Sequence, residues 1–199
     1  MATKMDKILK LVKTKQVIRP KELDEFDIPR RYLSRMLEKG LVRRIERGLY
    51  EYIDRQPTEK TTVVEVCKKN PNGIVCLLSA LQMHNVTTQQ PRNVWIALEH
   101  SARRPRVNNL PIRFVYMTGQ SLREGVIVQR HEGVDIQIFN LAKTVADCFK
   151  FRSKIGLEVA LEALNEVRRK KLVTSDDLWK YAKICRVAKV MRPYLEAIQ

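Results

Sequence analysis

Cysteine is scarce in this sequence and scattered. Cys67, Cys76, Cys148 and Cys185 form no C-x-x-C pair. Each sits among apolar neighbours such as Val66, Val75 and Ala146, so four reduced core thiols are expected rather than a disulfide framework. The histidines, His84, His100 and His131, are equally dispersed, whereas a zinc site needs clustered ligands. Glycine and proline are few, at seven and eight, which excludes collagen-like and low-complexity classes. No apolar run approaches the roughly 18 residues of a membrane-spanning helix. Residues 1–7 pass straight into an amphipathic pattern, without the continuous apolar segment of a signal peptide. A soluble, cytoplasmic protein is the expectation. The motifs G-x-x-x-x-G-K-[ST], G-x-S-x-G and H-E-x-x-H are also missing, so no cofactor, metal or catalytic centre is predicted from motif.

Acidic residues are in deficit. The 199 residues hold 38 Lys/Arg against 22 Asp/Glu, a net charge of +16, which makes a polyanion the first partner to consider. The length fits one or two domains. The polar stretch Asp54-Arg55-Gln56-Pro57-Thr58 suggests a division into domains 1–56 and 57–199. There are 15 basic and 9 acidic residues over 1–56, 11 and 7 over 57–149, and 12 and 6 over 150–199. The excess per residue is lowest in the middle, so the two ends are the better candidates for touching a polyanion. No internal repeat is present.

The first segment has the pattern of a small DNA-reading module. Met5, Ile8, Leu9 and Val12 recur at helical spacing. Pro20 suits the first turn of a short second helix ending near Asp24 or Glu25, with Leu23 inward. Phe26-Asp27-Ile28 makes a tight turn. Pro29 opens a third helix, Arg30 to Lys39, which Gly40 ends. Leu33, Met36 and Leu37 share one face of it, and Arg31, Ser34, Arg35 and Glu38 share another. Two helices joined by a tight turn, the second with exposed Arg/Ser/Arg, form the pattern of a helix-turn-helix. Two β-prone runs, 41–46 and 49–53, flank Arg47-Gly48 and predict a hairpin. A hairpin directly after a recognition helix is a wing, and Arg43, Arg44 and Arg47 lie along it. The candidate DNA contacts are therefore Arg30, Arg31, Ser34, Arg35 and Lys39 on the helix and Arg43, Arg44 and Arg47 on the hairpin. A protein- or RNA-binding module would show the same pattern.

The second segment is mixed. Residues 61–69 are predicted helical. The apolar run 74–81 is a buried element, with Ala80-Leu81 favouring helix. Strands are predicted over 94–98, 112–116, 126–128 and 134–139, a sheet of about four. The basic loop with Arg103, Arg104 and Arg106 is a candidate second DNA contact or a solvated loop. Helices follow to the C-terminus. Asn140 is placed as an N-cap, Lys143 and Asp147 as an i,i+4 pair, and Thr174 with Asp177 as a near capping box. Glu158, Glu162 and Glu166 form an acidic stripe on one of these helices, facing solvent or a basic surface. The fold class is α+β. Ser79, His84 and Asp135 are too scattered to imply a triad. Asp135 and Glu132 are the best available nuclease carboxylates, with Gln137 where a second acid would be wanted. A nucleic-acid-processing enzyme with an unrecognised site stays open as an alternative.

Particular segments resemble one family. Phe26-Asp27-Ile28-Pro29-Arg30-Arg31-Tyr32-Leu33-Ser34-Arg35, followed by Arg47-Gly48-Leu49-Tyr50, resembles the winged helix-turn-helix of AbiEi-type antitoxins. Residues 75–81 with His84 and Thr87-Thr88-Gln89, then 142–152, 154–157 and 191–195, are similar to that family's C-terminal domain. The resemblance implies a transcriptional autorepressor that binds inverted repeats in the promoter of its own toxin–antitoxin operon. It also implies that the C-terminal domain counters a nucleotidyltransferase-type toxin without a stable complex. Arg31, Ser34 and Arg35 match the recognition-helix segment and are carried over as DNA contacts. No long coiled-coil seam is present, which points to a monomer that pairs on DNA.

Overall fold

The computed structural model describes residues 3–15, 17–54, 61–103, 105 and 110–197. The chain divides into two compact units, 1–65 with 130–135, and 66–129 with 136–199. The boundary expected at 56/57 lies outside the described residues.

The first unit begins with α1 (Lys4–Lys15), the short strand β1 (Val17–Ile18) and a 3-10 helix, Pro20–Phe26. Then come α2 (Arg31–Glu38), β2 (Val42–Glu46), β3 (Leu49–Tyr52) and the start of α3 (Thr61–Lys69), which continues into the second unit after residue 65. β1, β3 and β2 form a three-stranded antiparallel sheet in that order. Ile8, Val12, Ile18, Leu23, Leu33 and Met36 make its core, all at most 2% exposed. The second helix expected from Pro20 is longer than predicted and 3-10 in form. Its start is fixed where the Arg19 amide donates to the Glu22 carboxylate at 3.2 Å. Its end is a left-handed cap at Asp27, with the Ile28 amide donating to the Leu23 carbonyl at 3.0 Å. Gly40, at φ +66°, closes α2 the same way: its amide meets the Leu37 carbonyl and the Leu41 amide meets that of Met36. An L side chain at that φ is disfavoured, which is why glycine stands there.

The second unit holds β4 (Ile74–Val75), α4 (Leu77–Met83), β5 (Val94–Glu99), β6 (Ile112–Met117) and α5 (Gln120–Arg123). β7 (Val126–His131) and β8 (Val134–Phe139), whose connecting residues 130–135 count with the first unit, complete the sheet ordered β6-β5-β4-β8-β7. The sheet therefore has five strands, not the expected four. The extra strand comes from the apolar run 74–81, which splits: β-branched Ile74-Val75 pairs antiparallel with β5 and parallel with β8, and helix begins only after Cys76. A run buried whether strand or helix carries no period that separates the two.

Five helices follow, α6 (Leu141–Lys150), α7 (Arg152–Ile155), α8 (Leu157–Arg169), α9 (Ser175–Ile184) and α10 (Ala188–Ala197). α6 is the centre of this core. Every residue from Ala142 to Phe149 is buried, and α4, α8, α9 and α10 pack around it. Asn140 caps it by accepting from the Lys143 amide at 2.9 Å, as predicted. Thr174 caps α9 likewise, accepting from the Asp177 amide at 3.1 Å while its hydroxyl donates to the Asp177 carboxylate at 2.7 Å. Among the described residues no helix is long and apolar enough to cross a membrane.

Candidate nucleic-acid interface

α2 is short, and its two faces differ sharply. Leu33 and Met36 are buried, while Arg31, Ser34, Arg35 and Glu38 are all exposed. Leu37, expected inward, is 41% exposed at the margin of the apolar stripe. An eight-residue helix laid on a small core buries a narrow stripe, and Leu37 falls just beside it. Tyr32 lies half-buried between the faces. The guanidinium carbons of Arg31 and Arg35 stand 5.9 and 5.3 Å from its ring centroid. These cation–π contacts limit the conformations of two long side chains that remain open to solvent.

Arg30 stands just before the helix and is not loose. Its Nε and Nη2 donate to the two Asp24 carboxylate oxygens at 3.2 and 2.5 Å. This fork holds Asp24 below the usual carboxylate range and raises Arg30. It ties the start of α2 to the 3-10 helix before it. Lys39 is exposed at the C-terminal end of α2.

The hairpin carries the other predicted cations. Arg43, Arg44 and Arg47 are all exposed. Arg44 faces Tyr50 and Glu46 faces Leu49, so Ile45 is an extra residue, a β-bulge. The bulge breaks the alternation of faces along the strand. Arg43 donates through Nε to Glu51, a carboxylate only 5% exposed. Arg44 donates to the Glu46 carbonyl at 3.3 Å. At the tip Gly48 takes φ +75° beside the exposed Arg47. Glu51 was not anticipated from sequence. A regular pairing of these runs through Arg47-Gly48 would set Glu51 opposite Arg44; the bulge at Ile45 moves it opposite Arg43, so this partner was not legible.

Of the second basic stretch, Arg103 is exposed in the other unit, and Arg104 and Arg106 lie outside the described residues. The acidic stripe of α8 has local partners. Glu166 pairs with Arg169 at 2.9 Å and Lys170 at 2.6 Å. Glu162 accepts from the Gln89 amide at 3.4 Å.

The residues weighed for catalysis have separate partners. Ser79 Oγ accepts from the Trp95 amide at 3.0 Å, His84 Nε2 is 2.8 Å from the Phe139 carbonyl, and Glu132 accepts from Thr61 at 3.2 Å. Among the described residues no three His, Cys, Asp or Glu side chains gather as metal ligands. All four cysteines are free and buried. Burial pushes the Cys67 and Cys185 thiols up to about 12, far from thiolate chemistry at neutral pH.

The predicted Lys143–Asp147 pair is present and more deeply placed than expected. Both side chains are 0% exposed, with Nζ 2.5 Å from Oδ2. The Cys185 thiol donates to Oδ1 at 3.3 Å, and the ammonium lies 4.0 Å from the Phe139 ring centroid. Burial pushes the Asp147 carboxyl up, and Lys143 pulls against that rise.

No curated protein matches the chain. Residues 6–53 match the family model described as transcriptional regulator, AbiEi antitoxin. The matched span runs from within α1 to just past β3, so it covers the faces of α2 and the hairpin described above. The resemblance seen in the residues is borne out over that span, and the segments quoted from residue 75 onward lie beyond it.

Proposed function

We propose that this chain is a sequence-specific DNA-binding transcriptional repressor that acts on the promoter of its own toxin–antitoxin operon. In this proposal residues 1–56 work as a winged helix-turn-helix, with α2 as the reading helix and β2–β3 as the wing. Residues 57–199 form the antitoxin-type domain. The observation that carries the reading is the division of α2: its apolar stripe is used up in the core, while Arg31, Ser34 and Arg35 face outward. Such a helix presents forked donors to base edges and phosphates, and the small Ser34 lets it sit deep in a major groove. The family match over these same residues supports it. Arg43, Arg44 and Arg47 then serve phosphates or an adjacent minor groove. Arg30 and Lys39 flank the reading face, and the Arg103–Arg106 loop is a second contact.

One such module reads few base pairs, so the operator is a pair of inverted half-sites and the protein is a monomer that pairs on DNA. The C-terminal domain counters a nucleotidyltransferase-type toxin without a stable complex. The test is a nuclease footprint on the DNA upstream of its gene. Two protected half-sites spaced about 10 bp apart, or a multiple of that, are expected. A single short protected site would contradict the reading.

A further inference from the structure

The second unit contains a cavity of about 730 Å³ that the DNA-binding reading does not use. Its size falls within the roughly 300–1,000 Å³ of small-molecule sites. Three stretches form it: residues 118–121 at α5, the α6–α7 junction, and the connection from α9 to α10. Lys150, Arg152, Lys183 and Arg186 line it, and no carboxylate does. Cations gathered in a concave wall focus their field on whatever enters.

The wall is built rather than incidental. Ser121 is only 7% exposed, and its hydroxyl donates to the Thr118 carbonyl at 3.0 Å. That leaves its oxygen to accept from Lys150 Nζ at 3.3 Å, which holds the ammonium at the rim. Arg152 is anchored by one Nη1 bond to the Phe149 carbonyl at 2.9 Å. Its remaining guanidinium donors can serve an anion. The nearest buried carboxylate, Asp147, lies behind Cys185 and is met first by Lys143 at 2.5 Å, with Lys150 a lesser partner, so the charge of Arg152, Lys183 and Arg186 stays on the rim. Ile184, Val187 and Val190 supply an apolar wall beside the charges.

We infer that this pocket binds a nucleoside polyphosphate, its phosphates on the four cations and its base against Ile184, Val187 and Val190. Four cations match a triphosphate, with about four negative charges, better than a lone phosphate. The apolar wall has no use for inorganic polyphosphate but fits a flat heterocycle.

Calorimetric titration of the full chain with ATP, tripolyphosphate and adenosine tests this. ATP is expected to saturate at one site, tripolyphosphate to bind more weakly and adenosine not to bind. The informative variant is Lys183→Ala/Arg186→Gly. Ala suits the helix at 183, and Gly suits the left-handed φ of +60° at 186, so folding is retained, as circular dichroism checks. ATP should bind it roughly tenfold or more weakly. Lys180→Ala/Lys189→Ala removes the same charge outside the pocket and should leave ATP binding unchanged. Absent ATP binding, tripolyphosphate binding as tightly as ATP, or equal loss in both variants would overturn the inference. So would duplex DNA displacing ATP while losing affinity for the pocket variant, which would make the cavity a DNA-backbone contact. None of these variants touches α2, so failure here leaves the operator reading standing.

Discussion

Single residues in this protein are set by their immediate partners. Lys143 and Asp147 show how far that goes. The sequence showed an i,i+4 pair, and the spacing alone is what an exposed helix pair also has. Their complete burial was not legible, because α6 is enclosed by elements distant in sequence. Removing one partner strands a buried charge, so Lys143→Met should cost about 3–5 kcal/mol in urea unfolding. Lys143→Met/Asp147→Leu should recover much of that loss, and a double variant as unstable as the single would show that packing dominates. Arg30 gives a second case. The fork to Asp24 occupies a cation that was counted as a DNA contact. Asp24→Asn should release it to phosphate and steepen the salt dependence of DNA binding by about one unit. An unchanged slope would place Arg30 away from the DNA. Because Asp24 is held below the ordinary carboxylate range, the pair's stabilisation is present at neutral pH and lost as pH falls through that lowered value. Both side chains are more than half exposed, so screening keeps the effect small.

At the scale of elements, caps and turns were the most legible features where residue chemistry forces them. Gly40, Asn140 and Thr174 stand where predicted, because a left-handed φ and an orphan amide each select few residue types. The same left-handed closure ends other helices at Asp27, Asn85, Lys171 and Arg186, and the last two are residue types that give no signal for it. The 74–81 run is buried, with its end helical, as expected, but the strand at its start was hidden for a different reason, since a nearly all-apolar segment has no polar face to reveal its period. The bulge at Ile45 was hidden too, because it depends on the register against β3. The hairpin carries three exposed arginines in three environments, Arg43 held by Glu51, Arg44 on the Glu46 carbonyl and Arg47 at the tip. Arg47→Ala should therefore lower the salt slope by about one and weaken binding evenly across DNA sequences. A change confined to one operator sequence would make Arg47 a base-reading residue instead.

Two basic surfaces carry the proposals made for the whole molecule. One is the exposed face of α2 with its hairpin, and the other is the concave rim of Lys150, Arg152, Lys183 and Arg186. The net charge of +16 makes a polyanion the first partner to consider but does not separate a duplex from a small phosphate ligand. The candidate reading helix was visible from residue spacing alone, while the pocket was not, because its cations come from segments that only the fold brings together. The central claim is that α2 reads sequence rather than attracting any polyanion. Fluorescence anisotropy of the wild-type chain and Arg31→Ala/Arg35→Ala, on DNA upstream of its gene and on a scrambled duplex at 150 mM salt, addresses it directly. If each arginine reads bases, its loss costs roughly 1–3 kcal/mol, and the double variant binds both duplexes with the same weak affinity. A variant that still prefers the upstream DNA as strongly as the wild type would contradict the account.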